Sequence, residues 1–439
     1  RRPGSGTDTG RHGGAMKGEI MDHERLLDYM KLEVRKVRKA DEDIIDLLKS
    51  TVLGSEGGMR YTMMNTPERI STYGDGLSFL ALYKRNSLKG VIGLCRRIIS
   101  NRGIKYPSTY LRYLAVQSAL QVERAPGRRR QERSTLAADS FKQKIISLFR
   151  DPLKAAGDFQ EFDMTGGAGS TDGVAGNVAA GTTQTSATTG DATASGANTA
   201  GAMAAESAGK HVMYAYVESR NERSRNLVNQ SGYEYIRSFL TVAFSRFDPK
   251  RNPSVSRLTP EEEPAMAALL DEFYSGYCFY TNEFSFHDHK YYVLRRNGEI
   301  VVGVGAIPAQ YRVVNVPGLW GWVMMKLLPR TPLYRRLFKP DEFRYIILNA
   351  IFCRKGSEDL LPDLFESVCA EEGYHTALTW LDDHSWLYDT LRTNRRMGAL
   401  NRMLNAKPGL VYALFSGLTP DETEKFYDSP AYISGFDFS

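Results

Sequence analysis

Cysteine and long apolar runs are what this sequence has least of. The four cysteines among 439 residues (Cys95, Cys278, Cys353 and Cys369) form no CxxC pair and no zinc-ligand spacing, which excludes a disulfide scaffold and a zinc finger. They read as buried free thiols in a reducing compartment. No run approaches the ~18–20 apolar residues of a membrane span. The Gly-rich, basic stretch from Arg1 lacks the apolar segment of a secretory signal. Residues 1–30 therefore read as a disordered extension, and cytoplasm is the expected location. A G-x-S-x-G elbow, a Walker loop and an HExxH helix are also missing, so hydrolase and NTPase readings have no support. No metal is expected either: His287-Asp288-His289 lacks a third ligand, and His384 after Asp382-Asp383 is similarly isolated.

What remains is the composition of a globular protein, 42% hydrophobic, 11% aromatic and 25% charged. Its length suits two domains rather than one. A formal net charge of +6 attracts anions without choosing among nucleotide phosphates, nucleic acid and lipid.

Along the chain, a Gly/Ala/Ser/Thr-rich stretch over residues 165–209 has too little apolar surface to order itself and reads as a disordered loop. Before it, Leu32–Arg38 alternates like a strand and Asp41 caps a helix bearing Ile44, Leu47 and Leu48. Leu77–Tyr83, Gly90–Ser100 and Tyr110–Val122 read as strands, and Ser134–Arg150 as a helix. After it come strand His211–Val217, helix Glu222–Gln230 stopped by Gly232, and a strand or hairpin over Tyr235–Phe247. The order then restarts: strand Ser254–Leu258, helix Pro260–Tyr274, a hairpin about Asn297-Gly298, strand Phe343–Cys353, helix Glu358–Glu372, strand His375–Leu381 and strand Val411–Ser416. Two runs of one order indicate a duplicated unit.

That order resembles the GNAT superfamily of N-acetyltransferases. Val34–Val37 with Asp41, Ile44 and Leu47 is similar to its opening strand and helix, and Tyr110–Val116 to its central fourth strand. Val217-Glu218-Ser219-Arg220-Asn221, with Gly232-Tyr233 beyond, is similar to its fifth strand, Asn-led helix and closing Gly-aromatic pair. The resemblance implies an α/β (α+β) chain of two GNAT-like domains, each a mixed central sheet flanked by helices. The first, over 31–250, would bind acyl-CoA and is interrupted by the 165–209 loop; the second, over 251–439, is degenerate. It also implies acetyl-CoA or another acyl-CoA as co-substrate, with no metal.

In that family the pantetheine lies between splayed fourth and fifth strands, and a glycine-rich turn before a helix N-terminus cradles the pyrophosphate. The matching segment here runs from Arg124 to Ser134 and departs from the Q/R-x-x-G-x-G/A pattern, keeping Gly127 but substituting arginines. Gly127, Arg128, Arg129, Arg130, Gln131, Arg133 and Ser134 are the expected phosphate ligands. The backbone at Leu114, Ala115 and Val116 is expected to polarise the thioester carbonyl, with Asn221 as a helix cap that also reaches the pantetheine. The family's usual acid, a tyrosine seven residues after the Asn, is Val228 here. Tyr113 or Ser219 can substitute as acid and Glu218 as base, acting directly or through water.

The expected activity is acetyl transfer to an amine of a small molecule, peptide or protein. The alternatives are a non-catalytic acyl-CoA-sensing module, or a tandem transferase with a lipid-acyl or aminoacyl donor. Nucleic acid is not the expected partner. The apolar segment Gly318–Leu328, carrying Trp320 and Trp322 with basic flanks, reads as a buried insertion helix or lid, with contact to a membrane surface as the minor reading.

Overall fold

The computed structural model describes residues 33–54, 58–84, 86–117, 145–150, 209–404 and 407–439. The 1–30 extension, the arginine turn, the start of the Ser134–Arg150 helix and nearly all of the 165–209 loop lie outside them.

Among the described residues, thirteen strands form one mixed sheet. They are β1 (Glu33–Val37), β2 (Arg60–Met63), β3 (Leu77–Lys84), β4 (Ser87–Asn101), β5 (Ile104–Val116), β6 (His211–Glu218), β7 (Glu234–Ser245), β8 (Val255–Arg257), β9 (Tyr291–Arg296), β10 (Glu299–Asn315), β11 (Phe343–Cys353), β12 (Thr376–Asp382) and β13 (Gly409–Ser416). Their spatial order is β1-β3-β4-β5-β6-β13-β7-β12-β11-β10-β9-β8, with β2 added along the end of β10. Of these pairs, β5 with β6 and β11 with β12 are parallel.

This order contains an exchange that the sequence pattern does not show. The last strand of the first run, β7, pairs with β12 of the second. The last strand of the second run, β13, pairs with β6 of the first. The two exchanged strands then pair with each other, so each half is completed by the other. At their crossing Gly409 faces Phe239, and a Cβ on Gly409 would fall 2.2 Å from the Phe239 ring. A side chain there would displace the ring, so close approach requires glycine.

Local chemistry accounts for the elements on the described residues. Asp41 caps the Glu42–Ser50 helix by accepting from the Ile44 N–H at 2.9 Å, and Ile44, Leu47 and Leu48 form its buried face. Asn297 and Gly298 both take positive φ (52° and 83°), the requirement of a tight two-residue hairpin. Gly373 ends the Leu361–Glu372 helix in the left-handed conformation. One sheet face is covered by the helices Glu42–Ser50, Glu263–Phe273 and Pro420–Asp428 and by residues 430–439, the other by Glu222–Gln230, Leu361–Glu372 and Trp386–Thr393.

Three expectations need correction. The strand expected at Tyr110–Val122 begins at Ile104 and ends at Val116. Pro107 disguises its start, yet Pro107 is tolerated because pairing with β6 begins only at Ser108. The elements β2, Thr66–Thr72, Trp386–Thr393 and Pro420–Asp428 were not anticipated. Finally, the Gly318–Leu328 segment is not a buried helix. Met324 and Met325 pack on the core, but Leu319 is 80% exposed and Trp322 57%.

Candidate functional site

The parallel pair β5/β6 is short. It runs from Ser108↔Val212 to Leu111↔Ala215 and then stops. Beyond that point β5 stays with β4 as far as Val116, while β6 stays with β13 as far as Glu218. Two strands that part while each keeps its outer neighbour leave a wedge between them. The wedge starts at a bulge: Tyr113 has φ 57°, and the register against β4 shifts between Val91 and Gly93. A bulge leaves one residue of the strand without its ladder partner and re-aims the backbone. Ala115 is buried, whereas Leu114 and Val116 are exposed. An apolar cleft beside these two is lined also by Leu82, Ile92 and Leu148.

Each arm of the wedge carries a tyrosine with a buried hydroxyl that has no hydrogen-bond partner among the described residues: Tyr113 on β5 and Tyr216 on β6. Buried polar atoms are nearly always satisfied, so orphans on both strands fit a site that receives a ligand, and Tyr277 and Tyr345 carry hydroxyls in the same state elsewhere. Burial pushes the Tyr113 phenol up to about 12, the nearby Arg112 cation pulling the other way, and burial raises Tyr216 well above its usual value. Both are protonated at neutral pH and can donate.

Glu218 ends β6, half-buried, where its charge adds to the burial and the Tyr311 neighbour that raise the Tyr61 phenol. Tyr61 and Tyr311 stack with centroids 4.5 Å apart. Ser219 is fixed by its backbone, its N–H donating to Pro408 at 3.1 Å and its carbonyl accepting from Arg225 at 3.2 Å. Asn221 is a helix cap, accepting from the Ser224 N–H at 3.1 Å. The structure therefore brings Tyr113, Leu114, Ala115, Val116 and Glu218 to one wedge. Gly127 to Ser134 lie outside the described residues.

Sequence reasoning missed the floor of the site. Arg112 is buried and donates to the Tyr73 hydroxyl (2.5 Å) and to the carbonyl oxygens of Phe436 (3.3 Å) and Ser439 (2.6 Å). Asp437 accepts two bonds from buried Arg97, at 3.0 and 2.8 Å, and one from Tyr73 at 3.2 Å. Residues 435–439 are thereby laid across the sheet centre, with the Phe438 ring stacked on both Tyr216 and Trp380. An arginine in the apolar run Tyr110–Val116 was the available signal, since a buried guanidinium demands partners.

The second half repeats the wedge and fills it. Pairing of β11 with β12 covers only Ile346↔Ala377 and Ile347↔Leu378, and Ala350 has φ 48° where Tyr113 stands in β5. Ser385 caps the next helix as Asn221 does. Here, however, residues 431–433 lie in the gap and leave a void of ≈ 20 Å³, room for about one water. In the following turn the Gly356 N–H already donates to the Glu358 carboxylate at 3.0 Å, so a phosphate would meet a negative charge. Asp382, Asp383 and His384 stand close enough to share an ion. Asp382 is already occupied by Arg237, the Ala431 N–H and the His384 N–H.

No protein-family model matches the sequence, and no curated protein matches it. Among solved structures, N-myristoyltransferase of Saccharomyces cerevisiae with bound myristoyl-CoA is similar at a TM-score of 0.46 and 10% identity, over 92% of this chain and 89% of that one. A GCN5-related N-acetyltransferase from Anabaena variabilis is similar at 0.39 and 7%, over 86% and 72%. Another, from Sphaerobacter thermophilus, is similar at 0.34 and 11%, over 77% and 80%. These neighbours are GNAT-fold proteins, and the likeness is one of layout.

Proposed function

We propose that the chain is an acyl-CoA-dependent N-acyltransferase that transfers an acetyl group to an amine. The observation that carries this reading is the β5/β6 wedge, opened by the bulge at Tyr113 and bordered by two buried, unpartnered phenols. The pantetheine arm threads the wedge, and backbone N–H groups of Leu114–Val116 polarise the thioester carbonyl. The amine nitrogen attacks the carbonyl carbon, the carbon–sulfur bond breaks, and the thiolate takes a proton from Tyr113. Glu218, at the mouth of the wedge, accepts the amine proton directly or through water. The arginines at 128–130 bind the phosphates. A longer acyl chain is the second reading, because Leu114 and Val116 expose apolar side chains beside the wedge. The amine acceptor would be a small molecule, peptide or protein.

The test is calorimetric titration of the full chain with acetyl-CoA and with a long-chain acyl-CoA, repeated on Arg128–Arg130→Ala. Binding by the parent that the variant loses supports the reading, and the tighter of the two donors sets the acyl length. A parent that binds neither removes it.

A further inference from the structure

Between Ile300 and Pro340 the sequence contains no aspartate or glutamate, yet it carries six cations: Arg312, Lys326, Arg330, Arg335, Arg336 and Lys339. Lys339 pairs with Glu342 just beyond the stretch. Lys326, Arg330, Arg335 and Arg336 are exposed, and among the described residues none of the four pairs with a carboxylate. The same stretch holds the most exposed large apolar side chains of the described residues. Leu319 is 80% exposed, Trp322 57%, Leu333 49% and Leu327 47%.

The backbone explains why they stand out. β10 ends at Asn315, and the chain then makes a single turn of α-helix (Gly318–Trp322), a π-helical turn (Val323–Leu327), a 3₁₀ turn (Leu328–Arg330) and a second short helix (Pro332–Leu337). Met324 and Met325 anchor this excursion on the core, and Leu337 and Phe338 are buried at its far end. Leu319 and Trp322, three apart, share the opposite face. The result is an apolar ridge set among free cations.

We infer that Gly318–Leu337 is a docking surface for an anionic lipid bilayer. A ridge of Leu and Trp inserts at the level where acyl chains meet headgroups, and neighbouring Lys and Arg meet acidic headgroups. Charge decides against the other occupants. A second copy of the chain packed symmetrically on this patch would set four cations against the same four. A nucleic acid would satisfy the cations but leave the apolar ridge in water. This inference does not depend on the acyltransferase reading.

The experiment is co-sedimentation of the full chain with phosphatidylcholine vesicles, with and without phosphatidylserine, while Trp fluorescence is followed. The expected result is partition onto the phosphatidylserine vesicles with a blue shift, weakening as salt is raised. Lys326→Gln with Arg330→Gln should lower the partition constant roughly fivefold per cation. Leu319→Ser with Trp322→Ser should lower it at least about tenfold. Both pairs are exposed, and an unchanged thermal midpoint shows that the variants fold. Equal partition onto neutral vesicles, or variants that bind like the parent, would overturn the inference. So would a parent dimer that the Leu319/Trp322 variant dissociates, with no vesicle binding by either form.

Discussion

Replacing Asp437 with alanine tests whether residues 435–439 are tied to the sheet by the buried pair described above. The Arg97 side chain is 1% exposed and that of Asp437 fully buried, with their charges 2.8 Å apart. Burial works against the Arg97 cation, but Asp437, with the Tyr214 and Tyr73 phenols, outweighs it and holds the guanidinium well above its ordinary pKa. Removing the carboxylate leaves that cation in the interior, with the Glu283 carboxylate at 3.8 Å and the Tyr214 hydroxyl at 3.3 Å. Stranding a buried charge costs about 3–5 kcal/mol, and the Glu283 contact argues for the lower end. A whole domain is stable by only about 5–15 kcal/mol, so the loss should be plain in urea unfolding read by linear extrapolation. The companion variant Arg97→Met/Asp437→Leu removes both charges and both desolvation costs, and should lie within about 2 kcal/mol of the parent. Arg97→Met and Asp437→Leu made singly therefore must not add to the cost of the double substitution. If Asp437→Ala costs under about 1 kcal/mol, or if the pair is additive, the segment is held by its aromatic stacking instead.

Four further outcomes are expected. Gly409→Ala should destabilise by about 1–3 kcal/mol, because the new Cβ meets the Phe239 ring at the strand exchange; a thermal midpoint equal to the parent's would contradict this. Burial holds the His211 imidazole down to about 4, so the unfolded chain binds the proton first as pH falls. That contribution is complete above about pH 6.5 and lost on the way down to pH 4, by up to about 3 kcal/mol. His211→Gln should flatten this part of the stability–pH curve, and identical curves would refute the assignment. All four cysteines are buried, with Cys95, Cys353 and Cys369 pushed up to about 12 by burial, so a thiol reagent should label them only after denaturation. Tyr113→Phe should lower kcat about 100-fold or more with little change in KM if the phenol is the proton donor; unchanged kcat would return the role to water or to Tyr216.

How much of this was legible in the sequence follows from the range over which each determinant acts. Caps and turns are local, so Asp41, Asn221, Asn297-Gly298 and Gly373 announce their elements by residue type alone. Strands with period-two burial, or buried on both faces, also show themselves, and Phe343–Cys353 appears with the expected bounds. Strand order is not local. Nothing in the residues of β7 or β13 says which half they complete, because either half offers the same apolar edge. The Gly409–Phe239 fit, across 170 positions (409 − 239), and the ion pair of Arg237 on β7 with Asp382 on β12 make the exchange specific. The site divides the same way. The wedge lies on Tyr110–Val116 and His211–Glu218, which the pattern of residues locates. Its floor comes from residues 435–439, more than 300 positions from Arg112. The filling of the second wedge by residues 431–433 is equally distant from β11 and β12 in kind, being a loop rather than a repeated element. Duplication therefore predicts two wedges, and residues 431–439 make them unequal, with 431–433 lining the β11/β12 gap and Phe438 stacking on Tyr216 beside the β5/β6 gap.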